Sequence, residues 1–224
     1  MRKYVTELIG TFFLILTICG VVLSKADLAP LAIGAVLAAM VFAGGHVSGA
    51  HYNPAVTVAV FLRGRLQARE ILPYITAQMI GAAVAGGVSR LVFDVARPAP
   101  FDASGRLVAA VSAELLFTFA LAFVVLNVAT STNHPDNSFY GLAIGFTVMS
   151  GAVAVGGVSG GVFNPAVAVG VSVAGLVSWT LVPAYVAAML AGGALAALAF
   201  RKLNPDDVTT SATQAKPLRR PART

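Results

Sequence analysis

The sequence predicts an all-α membrane protein, with six transmembrane helices and two re-entrant half-helices in an inverted repeat. Three observations predict it. The 224 residues are 58% apolar and only 11% charged, with a mean hydropathy of +0.84, a balance that marks an integral membrane protein rather than a soluble domain. The tripeptide Asn-Pro-Ala occurs at Asn53 and again at Asn164, each time inside an apolar run and after a glycine-rich stretch. Glutamates near the starts of two apolar runs, Glu7 and Glu114, are 107 positions apart, close to the 164 − 53 = 111 that separates the two motifs.

Apolar stretches at 4–23, 31–50, 71–93, 108–129, 139–159 and 179–200 each approach the roughly 20 residues that a bilayer requires. The first has the basic start and apolar run of a signal peptide, but Glu7 inside the run opposes that reading and the repeat claims the segment as a span. With both termini cytoplasmic, the inner segments hold Arg2, Lys3, Arg63, Arg65, Arg69, Arg201, Lys202, Lys216, Arg219, Arg220 and Arg223, and the outer ones hold Lys25, Arg90, Arg97 and Arg106. Eleven against four follows the positive-inside rule, so the net charge of +6 belongs to topology and not to a nucleic-acid surface. Residues 204–224 read as a disordered basic tail that touches anionic lipid. Cys19 is the only cysteine, which excludes an internal disulfide.

Residues 1–107 and 108–203 are therefore two copies of one unit, each with three spans and a half-helix, at 53–63 and 164–174. Three is odd, so the second copy enters the membrane from the opposite face. Asparagine is a strong N-cap and proline suits the first helical position, where its missing N–H costs nothing. Asn53-Pro54-Ala55 and Asn164-Pro165-Ala166 thus start helices. About ten residues at 1.5 Å each cross half a membrane, and by symmetry the two N-termini meet near the midplane.

Each helix start carries about half a positive charge, and each asparagine can cap with its oxygen while its NH₂ points into a lumen. Carbonyls of Gly49, Ala50 and His51, and of Gly160, Gly161 and Val162, form acceptor ladders above and below. Irregular backbone is tolerated at membrane depth only when buried or lining water. Such a tube conducts small uncharged solutes and disfavours ions. Glu7 and Glu114 read as buried acceptors for loop N–H groups, and His46 and His51 as braces of the first loop. No acidic or cysteine partner stands at metal-ligand spacing, so no metal or cofactor is expected. Gly81, Gly86, Gly87, Gly192 and Gly193 read as close helix contacts. No nucleophile–base pair or phosphate loop supports an enzyme. Two rivals remain: an ion- or proton-coupled secondary transporter and a non-conducting structural relative.

On the motifs "S-G-A-H-Y-N-P-A-V-T" and the second "N-P-A", with both span glutamates, residues 4–200 resemble the major intrinsic protein family of aquaporins and aquaglyceroporins. The resemblance implies the aquaporin-like fold, pore asparagines at Asn53 and Asn164, a pore in every subunit and a homotetramer in the plasma (inner) membrane. It also implies a second filter at Ile33, Ala152, Gly161 and Val167. Typical members carry arginine at the last of these positions and glycerol-selective ones an aspartate after it, where this chain has Val167 and Ala168. In these respects it resembles the plant-nodulin-like and bacterial branch, which implies a wide apolar filter passing water, glycerol, urea and metalloid hydroxides such as arsenite.

Overall fold

The structure, a computed structural model, describes residues 1–207. Among these residues eight α-helices follow in order: α1 (Arg2–Leu23), α2 (Ala29–Ser48), α3 (Pro54–Arg63), α4 (Ala68–Val92), α5 (Leu107–Val125), α6 (Tyr140–Ser159), α7 (Pro165–Val173) and α8 (Val182–Leu203). All but α3 and α7 are long and apolar enough to cross a membrane. An isolated parallel bridge joins Phe101 to Val177. The boundaries shift from the apolar runs where local chemistry intervenes. Helix α4 begins at Ala68 and absorbs Pro73, which removes one hydrogen bond near the helix start. Helix α8 begins at Val182 with proline in its first turn, after Ser178 and Thr180 close a polar turn through their hydroxyls, 2.7 Å apart.

The long helices pack mainly as α1 on α4, α5 on α8 and α2 on α6. Small residues make these crossings possible. A Cβ on Gly81 would stand 2.5 Å from the Leu8 carbonyl oxygen, and one on Gly192 2.5 Å from that of Leu115. These are the same contact written twice. Gly86 and Gly193 are equally tight against Gly170 and Ala55, whereas Gly87 has no neighbour within 4 Å and takes no part in the crossing. The half-helices are exchanged: α3 packs on α8 and α7 on α4, so each is held by a long helix from the other half of the chain.

Residues 204–207, expected as the start of a disordered basic tail, are ordered instead: Pro205–Asp207 form a 3₁₀ turn and Asp207 is buried. The reason is Arg63 at the end of α3. Its guanidinium donates to Thr130 Oγ1 at 2.8 Å and Thr130 O at 3.0 Å and lies 4.6 Å from the Phe200 ring centre. It pairs with Asp207 Oδ1 at 2.9 Å. The remainder of that tail, 208–224, lies outside the described residues.

Burial alone would raise the Asp207 carboxyl, but hydrogen bonds from Thr132, Ser131 and Arg63 outweigh it and hold the group at about 2. A lowered carboxylate contributes stability that is complete above the unfolded value of about 4 and is lost as pH falls through about 2. Asp207→Ala leaves the buried Arg63 guanidinium without its counter-charge, and the expected cost is about 3–5 kcal/mol. Thermal unfolding of the detergent-solubilised protein checks this. The variant should melt earlier at neutral pH, with the gap to wild type narrowing towards pH 2.

Candidate functional site

Asn53 and Asn164 begin the two short helices in nearly identical extended geometry, φ −156° and −155°, as a residue before proline requires. Their Oδ1 atoms accept from the N–H of Ala55 at 2.8 Å and of Ala166 at 2.9 Å, with longer bonds from Val56 and Val167. The residues just before them, Tyr52 (φ 47°) and Phe163 (φ 50°), stand in the left-handed region. That conformation is strained for large side chains.

The strain turns successive backbone N–H groups towards one point, and a carboxylate sits there. Glu7 accepts from His51 N at 2.9 Å and Tyr52 N at 2.6 Å. Glu114 accepts from Val162 N at 3.0 Å and Phe163 N at 2.6 Å. Both glutamates are fully buried. The loops are tied at their starts too, since Tyr74 and Tyr185 hydroxyls donate at 2.7 Å to the carbonyls of Ser48 and Ser159.

The two helix starts are also bonded to each other. Asn53 Nδ2 donates to Phe163 O at 3.0 Å, and Asn164 Nδ2 donates to Tyr52 O at 2.8 Å. Each amide therefore spends one of its two N–H donors across the junction and keeps one. The sequence reading assigned both to a lumen, which is corrected by this reciprocal pairing. Its physical effect is to lock the two half-helices at one separation.

Around the junction lies a cavity of about 260 Å³. Its wall includes Asn53, Asn164, and apolar side chains such as Leu14, Leu37, Leu121 and Ile144. Ile33, Ala152, Gly161 and Val167 all reach this wall, as do Ala50, His51, Gly160 and Val162. Gly49 does not; it is exposed, because its left-handed φ of 86° turns the chain out of α2. Among the described residues no hydrogen bond reaches the carbonyls of Ala50, His51, Gly160, Gly161 or Val162. Pro54, Ala55, Pro165 and Ala166 are buried in the half-helices away from the wall, and Ala55 packs on Gly193.

The two loops differ in the side chains that brace them. Glu7 additionally accepts from Ser48 Oγ at 2.7 Å and Gln78 Nε2 at 2.8 Å, and Gln78 also donates to Thr57 Oγ1 at 2.9 Å. His51 Nδ1 lies 3.2 Å from the same Thr57 oxygen, whose proton goes to Asn53 O. At the offset of 111, the places of His51, Thr57 and Gln78 are taken by Val162, Ala168 and Met189. Both loops are thus braced by a buried glutamate, but only the first adds His51, Thr57 and Gln78 to its polar network. Sequence reasoning did not find Gln78 or Thr57, although a glutamine inside an apolar span was a visible signal. His46 is exposed on the last turn of α2. Among the described residues no cluster of three or more potential metal ligands forms.

Comparisons with known proteins agree on one family. The profile described as "Major intrinsic protein" matches residues 1–154 and 140–220. The chain is 38% identical to Aquaporin NIP1-1 of Zea mays over 181 residues, 76% of this chain and 64% of the relative. It is 36% identical to Glycerol uptake facilitator protein-like 6 of Lactiplantibacillus plantarum over 220 residues, 92% of this chain and 100% of the relative. It spans just under two thirds of the length of several plant relatives that it matches, 63–65%. The crystal structure of the aquaglyceroporin from Plasmodium falciparum superposes with a TM-score of 0.79, covering 92% of this chain and 98% of that one at 19% identity, a likeness of fold.

Proposed function

The chain belongs to the major intrinsic protein family and is an integral membrane protein, and from that premise we propose that it is a passive channel for water and small uncharged solutes. The observation that carries the reading is the reciprocal Asn53–Asn164 junction inside an apolar cavity. Two half-helix starts aimed at one point present about one positive charge where a permeating cation would have lost its water. A neutral solute oxygen meets the one free N–H of each asparagine instead. The unbonded carbonyls of Ala50, His51, Gly160, Gly161 and Val162 then accept its protons on either side.

In this reading Ile33, Ala152, Gly161 and Val167 form the selectivity filter, apolar and mostly small. Val167 contributes neither the fixed charge nor the donors that an arginine would. The filter passes glycerol, urea and metalloid hydroxides such as arsenite as well as water, in keeping with relatives named as aquaporins and as a glycerol uptake facilitator. The repeats divide at residue 107, both termini are cytoplasmic in the plasma membrane, and the working unit is a homotetramer with a pore in each subunit. Glu7 and Glu114 are braces of the loops in this scheme and do not couple protons.

Proteoliposomes of purified protein, followed by light scattering after mixing with sucrose, glycerol, urea or arsenite, test the proposal. Water efflux above lipid background, with re-swelling in glycerol and urea, is expected. Accumulation of a solute against its gradient would establish a coupled transporter, and flux equal to bare lipid a non-conducting relative.

A further inference from the structure

Residues 96–105 of the segment between α4 and α5, "A-R-P-A-P-F-D-A-S-G", are polar and proline-rich and hold a single aromatic residue, Phe101. It reaches back into the molecule. Phe101 N donates to Leu176 O at 2.8 Å, and Ser178 N donates to Phe101 O at 3.0 Å, which pins the backbone beside the turn that follows α7. The side chain joins the wall of the cavity that holds Ala152, Gly161 and Val167.

Its ring is held from two further sides. It lies over Gly160, where a Cβ would stand 3.4 Å from Phe101 Cδ1. The Arg106 guanidinium lies 5.9 Å from the ring centre, within the range of a cation–π contact. That guanidinium is anchored by a 2.7 Å bond to the Gly157 carbonyl in the last turn of α6. A rigid aromatic ring with a bridged backbone and a guanidinium beside it does not swing freely. It is also far bulkier than three of the four residues in the sequence-derived filter.

We propose that Phe101 is a fifth and largest wall of the filter, setting the upper size of solute that passes, and that Arg106 is the residue that positions its ring. This rests on the channel reading. With Ala152, Gly161 and Val167 all small, the bore at this end is narrowed by a side chain from a connecting loop. Arg106 itself does not line the cavity, so the wall offered to solute stays apolar.

Proteoliposomes of the full chain, assayed by light scattering with water, glycerol and the larger polyol erythritol, test the proposal. Phe101→Ala is expected to raise the erythritol-to-water flux ratio on the order of tenfold, equivalent to ~1.4 kcal/mol of barrier. Arg106→Ala should shift the ratio the same way by less. Phe101→Leu and Phe101→Trp keep an apolar side chain and serve if the alanine variant does not fold. A ratio falling in the order Leu, Phe, Trp supports the proposal. An unchanged ratio across these variants, all as monodisperse as wild type, overturns it and leaves the channel reading intact. Wild-type water and glycerol flux equal to bare lipid would overturn the channel reading itself, and this proposal with it.

Discussion

Val167→Arg is expected to reduce glycerol and urea flux by roughly tenfold or more, about 1.4 kcal/mol of added barrier, while water flux stays measurable. Val167 is buried, lines the cavity and sits in the first turn of α7. A guanidinium there fills space that a bulkier solute needs and adds a second positive charge near the half-helix starts. At about 4 Å and a surface-like dielectric, that charge adds on the order of 4 kcal/mol against a cation. Any residual cation leak in the wild type should therefore fall further in the variant. Parallel light-scattering and tracer-ion assays on one proteoliposome preparation read both effects. Glycerol flux equal to wild type would remove Val167 from the filter.

Glu7→Ala should be the most damaging single change at the junction, and Glu114→Ala should cost less. Glu114→Ala leaves two buried loop N–H groups, of Val162 and Phe163, without their acceptor, at about 1–3 kcal/mol each. Glu7→Ala strands the equivalent pair and also the donors of Ser48 and Gln78. Tyr52 would then keep its left-handed strain without the carboxylate bond to its N–H. Detergent-solubilised variants heated and scored by size-exclusion chromatography should melt in the order wild type, Glu114→Ala, Glu7→Ala. Glutamine at position 7 should recover only part of the loss, because its amide retains one acceptor oxygen and brings a donor towards the loop N–H groups. Equal melting of the two alanine variants would contradict the asymmetry of the networks.

Much of the fold was legible because each element carries its own physical signature. Twenty apolar residues cannot stay in water, and an asparagine cap followed by proline favours a helix start. The helix crossings were legible only in part: Gly81, Gly86, Gly192 and Gly193 lie at close approaches, whereas Gly87, next in sequence to Gly86, meets no neighbour. Glycine by itself does not say which face of a helix it occupies. Gln78 escaped notice for a related reason. A polar residue on a long apolar helix means nothing until a partner such as Glu7, 71 positions away, is placed beside it.

The sequence by itself determined the membrane class, the helix starts at Asn53 and Asn164, and the duplication, since hydropathy, capping and the motif offset are all local or countable. Only the tertiary structure decided that each asparagine gives one donor to the opposite loop, that Arg63 draws Asp207 out of the tail, and that Phe101 joins the cavity wall. These pairings link residues about 75 to 145 positions apart in the chain. Their bonds form only when long helices from both ends of the sequence bring the buried groups together, and a buried donor or charge then takes whichever partner the packing leaves within reach.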